Sequence, residues 1–187
     1  MKNFSIIDAI AYFLLNIRLA FSGYFGGLDS LVNSRSDYHN VHSILLKWLN
    51  RLDSSTGTKK MITAALADSK NIETVHILFN EYQNSSDTMY KFIAANSIYI
   101  INKSDKKSLD LAYNSIINEK LDVLLGDPRI PLLQYLANSK DSRINDLLKK
   151  IKNDESMNYK IKETAEYLLK NKRTEKNISP ANKRRIM

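Results

Sequence analysis

Between Thr58 and Leu125 the chain contains neither glycine nor proline. Hairpins need residues that accept positive φ or pre-set a turn, so a span this long without either favours helices over strands. At its centre lies Ser86 to Asn102, SDTMYKFIAANSIYIIN, where Met89, Phe92, Ile93, Ile98, Tyr99 and Ile101 recur at helical spacing and leave almost no polar face. Asp87 stands where it can cap the start, and Ala94-Ala95 give a neighbouring helix room for close approach. A helix apolar nearly all round has to be buried between other elements. The spacing therefore predicts an all-α fold organised around this segment.

The N-terminal stretch, Phe4 to Phe21, is equally apolar but clearly periodic. Ile6, Ile10, Phe13, Ile17 and Phe21 fall on one stripe with Ile7 and Leu14 beside it, while Asp8, Asn16, Arg18 and Ser22 lie broadly opposite. This predicts a packed amphipathic helix whose Phe13 and Ile17 cover the end of the helices that follow. Asp8 and Arg18 would each cost roughly 2.5–3.5 kcal/mol at a bilayer centre, which argues against a membrane span. They also interrupt the apolar run of a signal peptide, although Lys2 precedes it and Ala20-Phe21-Ser22 resembles a cleavage site. The expectation is a cytoplasmic protein. A membrane partner is not expected; the alternatives are export, if residues 1–22 act as a signal, and a helix lying on a membrane surface. Gly23, Gly26 and Gly27 mark the turn that ends this segment, and the stretch after them has room for a short helix but reads mostly as connector.

Further helical patterns run over Val41–Leu52, Thr58–Ala67, Ile72–Tyr82, Asp105–Leu121, from Pro128 behind an Asp127 cap, over Arg143–Lys152, and from Ser156 to near Lys170. From Val41 to Lys170 they form four successive pairs of about 30 to 38 residues, the period of a helical array. The second helices share a spacing: Lys91, then Ala94-Ala95, then Ile98; and Lys162, Ala165 and Leu169, with Glu166 in place of the second alanine. The helix from Pro128 has Arg129 but carries Leu132-Leu133, and Ala64-Ala65 occurs in the first pair without a clean register. This pattern resembles a degenerate HEAT-like repeat. The resemblance implies a right-handed α-solenoid of about four helix pairs, capped by the N-terminal amphipathic helix. It divides the chain into an N-terminal helix and turn (1–27), a repeat domain (28–170) and a basic tail (171–187). It also implies that second helices line a concave face, with Lys91, Arg129 and Lys162 at comparable positions for binding a partner.

Composition narrows the functional classes. The chain has no cysteine, which removes disulfides, thiolate metal sites and a cysteine nucleophile. Net charge is +8, and from Asn171 onward six basic residues face the single acid Glu175, so the tail holds five of those eight charges. Lys183, Arg184 and Arg185 near its end are candidates for contacting phosphate or acidic protein surface. His39 and His42 form an H-x-x-H with Asp37 nearby, but zinc needs a third protein ligand and His76 is distant in sequence. No P-loop, dinucleotide, nucleophile-elbow or kinase signature occurs. The HEAT-like resemblance extends to DNA glycosylases of that fold, which use a basic groove and a catalytic aspartate. Here the candidate acid, Asp127, reads better as a helix cap. The expected function is a non-enzymatic protein-interaction module, such as an adaptor, assembly factor or toxin-neutralising partner, with no cofactor. The alternative is a nucleic-acid-binding protein using the basic concave residues and the tail.

Overall fold

The computed structural model describes residues 6–33, 39–119 and 126–177. Among these residues there are ten α-helices, one short 3-10 turn and no strand. The helices are α1 (Ile6–Phe21), α2 (Gly27–Asn33), α3 (His39–Leu49), α4 (Gly57–Ala65), α5 (Ile72–Asn84), α6 (Thr88–Ile101), α7 (Lys106–Asn118), α8 (Arg129–Asn138), α9 (Ile144–Asn153) and α10 (Tyr159–Asn177). The 3-10 turn, Leu66–Ser69, continues α4. No helix among the described residues is long and apolar enough to cross a membrane.

Local chemistry sets most of these starts. The first backbone N–H groups of a helix have no intrahelical acceptor, and a short polar side chain ahead of the helix supplies one. Thr56 accepts from the Lys59 N–H, Asn71 from Glu73, and Asp87 from Tyr90. At α7, Asp105 accepts from the Ser108 N–H while the Ser108 hydroxyl accepts from the Asp105 N–H, a reciprocal capping box. Asn102 ends α6 in the left-handed region, at φ 51°, a conformation asparagine tolerates better than most residues.

α6 is central, as its composition requires. It packs against α4, α5, α8 and the 3-10 turn, and buries Tyr90, Ala94, Ala95, Ser97, Ile98 and Ile101. A narrow wet edge remains at Met89 and Ile100. Beyond it the even-numbered helices touch in succession, α4 on α6, α6 on α8, and α8 on α10. Each of these also contacts the odd-numbered helix before it, α3 with α4, α5 with α6, α7 with α8, and α9 with α10.

The short helix that the stretch after the glycines has room for is α2, which buries Leu28 and Leu31. Two expectations are corrected. The last helix extends to Asn177, past the expected end near Lys170. The second correction matters more: the stripe of α1 that covers its neighbours is not the apolar one. Asp8, Ala11, Leu15 and Leu19 are buried, whereas Ile6, Ile10, Phe13, Ile17 and Phe21 are exposed. The capping helix is therefore seated on the face expected to be wet.

Candidate docking surface

Polar anchors decide which way α1 faces. The Asp8 carboxylate accepts the Gly57 N–H at 2.9 Å and the Thr58 N–H at 3.1 Å, the first two helical residues of α4. The Thr58 hydroxyl in turn donates to the Asp8 carbonyl at 3.3 Å. A carboxylate at a helix N-terminus both satisfies orphan donors and meets the positive end of the helix dipole. About two turns further on, Asn16 Oδ1 accepts the Leu28 N–H of α2 at 2.7 Å. On the same side of the helix Leu15 and Leu19 enter the core with Leu28, Leu31 and Tyr24. Tyr12 donates to Asp29 on the same flank.

Asp8 and Leu15 share one side of the helix, so the opposite stripe is turned outward. Ile6 is 80% exposed, Phe13 63% and Phe21 83%, with Ile7, Ile10, Leu14 and Ile17 between them. Phe25, in the turn that follows α1, is 86% exposed. These side chains together present on the order of 1,000 Å² of apolar surface, beyond the few hundred Å² usual for the largest patch on a monomer. Scattered exposed leucines are ordinary; a continuous stripe along a whole helix is not.

Along the second half of α1 the stripe borders a groove of about 710 Å³ shared with α3. Leu14, Ile17 and Phe21 supply one wall, and Ile44 and Trp48 the other. Arg18, Lys47 and Arg51 also line it, with Ser43, and no carboxylate does. All three cations are exposed and none forms an ion pair among the described residues. The surface therefore combines apolar area with uncompensated positive charge.

The cations singled out by spacing have a different setting. Lys91 pairs with Glu119 at 2.6 Å and stands 5.2 Å over the Tyr82 ring, whose hydroxyl donates to the same Glu119 at 3.0 Å. Burial, then the Glu119 charge, pushes the Tyr82 hydroxyl far above its usual range. The same device recurs one layer earlier. Lys59 pairs with Glu81 at 2.7 Å over the Tyr90 ring, and Tyr90 donates to Glu81. It recurs again where Arg143 joins Asp110 and Asp141 over Tyr113. Arg129 is buried against Asp127, 2.7 Å from Nη2 to Oδ2, and Asp127 also accepts from Asn158. Lys162 is half-buried in the first turn of α10. It adds its charge to the Ser156 hydroxyl and N–H that hold the Asp154 carboxyl low. Lys91, Arg129 and Lys162 lie in the first turns of α6, α8 and α10, and Lys91 and Arg129 are both engaged in ion pairs, with Glu119 and Asp127. Lys183, Arg184 and Arg185 lie outside the described residues.

A smaller polar depression of about 310 Å³ surrounds Tyr82, Lys91 and Glu119 and is also lined by Gln83, Asn114, Ser115 and Asn118. His42 Nε2 lies 2.9 Å from the Thr74 hydroxyl, and His76 Nε2 lies 3.0 Å from Asp105. No group of three or more histidines or acids spaced to hold a metal occurs among the described residues. Asp105 is held down to about 2 by the Ser108 N–H and then by the His76 side chain. The outward face of α1 had a signal in the sequence, an aspartate in line with Ala11, Leu15 and Leu19, but its partner is distant in the chain. No family model matches the chain, and neither the curated proteins nor the solved structures compared with it contain a match.

Proposed function

We propose that this protein is a non-enzymatic interaction module that docks through the outward face of α1 and the α1–α3 groove. The observation that carries this reading is the apolar stripe from Ile6 to Phe21, left in water because Asp8 and Asn16 commit the opposite face to α4 and α2. Apolar area of that size in contact with solvent is costly, and covering it is the main favourable term in association. The succession α4–α6–α8–α10 is consistent with a HEAT-like, right-handed solenoid of helix pairs, and we read the body as that scaffold. Docking then occurs at the N-terminal end of the array. The concave cations are a weaker candidate, because Lys91 and Arg129 already spend their charge inside the protein.

The test uses the immobilised full chain and a Phe13→Asp/Phe21→Asp variant to capture components of host extract. Both positions are exposed, so the variant should fold with an unchanged circular dichroism spectrum. The wild type should retain binders that the variant loses. Retention of the same set in the same amounts by both proteins would refute the assignment.

A further inference from the structure

We infer that the surface on which α1 docks is an anionic lipid bilayer, with α1 lying in the plane of the interface. This rests on the docking reading above and names the partner of the same face. Three features separate a bilayer from the other occupants. First, the apolar stripe is longer than the groove. α1 spans about 24 Å at the helical rise, and exposure is greatest toward its two ends, at Ile6 and Ile7 and at Phe21, with Phe25 just beyond. A partner helix seated in the groove would cover Leu14, Ile17, Phe21, Ile44 and Trp48 and leave Ile6, Ile7 and Phe25 wet. A planar apolar phase can take the whole line.

Second, the charge lining the groove is of one sign. Arg18, Lys47 and Arg51 stand along the groove with no acid among its lining residues, and they make no ion pair among the described residues. An interfacial helix buries its apolar face about 5–10 Å into the headgroup region, where flanking cations meet lipid phosphates and anionic headgroups. A second copy of this chain would bring the same cations and the same +8 charge against one another. Third, no helix among the described residues is long and apolar enough to span a membrane, and Asp8 ties α1 to α4. The helix therefore lies on the surface as part of a folded body, with Phe13, Ile17 and Phe21 among the outer acyl segments.

Trp48, the single tryptophan, lines the groove and reports directly on this geometry. The experiment mixes the full chain with unilamellar vesicles of phosphatidylcholine, with and without about 30% phosphatidylglycerol, at low and high salt. Sedimentation with the anionic vesicles is expected, weakening as salt rises. Trp48 emission should shift to shorter wavelength and be quenched by lipids brominated on the upper acyl chain. An Ile7→Ser/Phe13→Ser/Phe21→Ser variant, altered only at exposed positions, should lose about tenfold or more in partitioning. Arg18→Gln/Lys47→Gln/Arg51→Gln should bind less and lose most of its salt dependence. No binding of the wild type to anionic vesicles would overturn the inference. So would equal binding of the serine variant, or binding that leaves Trp48 unchanged, since each would place another surface at the lipid. If vesicle binding fails while capture from extract remains sensitive to Phe13→Asp/Phe21→Asp, the docking reading stands and its partner is a protein. If both fail, the face is not a docking surface.

Discussion

Replacing Asp8 with alanine tests why α1 faces as it does. Asp8 is only 4% exposed, and its two oxygens take the N–H groups of Gly57 and Thr58. A hydrogen bond to a charged acceptor contributes about 1.5–3 kcal/mol, and a buried donor left without one costs a similar amount. The two bonds share one carboxylate, so they do not add fully. The helix-dipole contribution of about 0.3–1 kcal/mol belongs to the same charge. Alanine recovers about 0.5 kcal/mol through its higher helix propensity. The expected loss for Asp8→Ala is therefore about 2–4 kcal/mol. Asp8→Asn keeps one oxygen but no charge and should lose about half of that. Urea denaturation at neutral pH reads this as a midpoint lowered by about 1 M for the alanine variant with little change in slope. Hydrogen exchange gives a local signature: the Gly57 and Thr58 amides should exchange faster in Asp8→Ala while those of α6 keep their protection relative to global stability. If both variants stay within about 0.5 kcal/mol of wild type, as ordinary surface substitutions do, the anchor is not what holds the helix. The outward stripe would then need another cause.

Other consequences are open to similar measurements. Ala94 is fully buried where α6 meets its neighbours, so Ala94→Leu should cost about 1–3 kcal/mol by overpacking; a neutral result in denaturant titration would mean the contact is loose. Lys91→Glu places a second carboxylate against Glu119 in a largely buried pair and should destabilise by about 3 kcal/mol, whereas no loss in thermal or urea unfolding would show the tie to be dispensable. Asp105, depressed to about 2 in the folded protein against an ordinary value near 4, stabilises the fold fully above that ordinary value. That contribution fades as pH falls from about 4 through 2. The stability gap between wild type and Asp105→Asn should therefore narrow over the same window, and a gap independent of pH would contradict the assignment.

How much of this was legible in the chain depends on the range of the interaction concerned. Helical period and the glycine- and proline-free span identify α4 to α7, and short polar residues ahead of them, Asp87 and Asp105, mark two of the starts because a cap acts within one turn. The burial of α6 follows from its having almost no polar face. α2 was legible only as room for a short helix, because seven residues are too few for a period to register; its helix depends on Asn16 of α1 and on the leucines it meets there. Lys91 and Arg129 look like binding cations in one dimension, since Glu119 lies 28 residues from Lys91 and Asp127 passes for a simple cap. The orientation of α1 is the clearest case. Apolar periodicity ranks the faces of a helix by hydrophobicity and so selects Ile6, Ile10, Phe13, Ile17 and Phe21 as the buried side. The tertiary structure reverses that ranking because the start of α4, about fifty residues away, presents backbone donors that only a nearby acceptor can satisfy. An unmet buried N–H costs as much as an apolar side chain gains by burial, so the face carrying Asp8, Leu15 and Leu19 goes inward and the greasier one is left exposed.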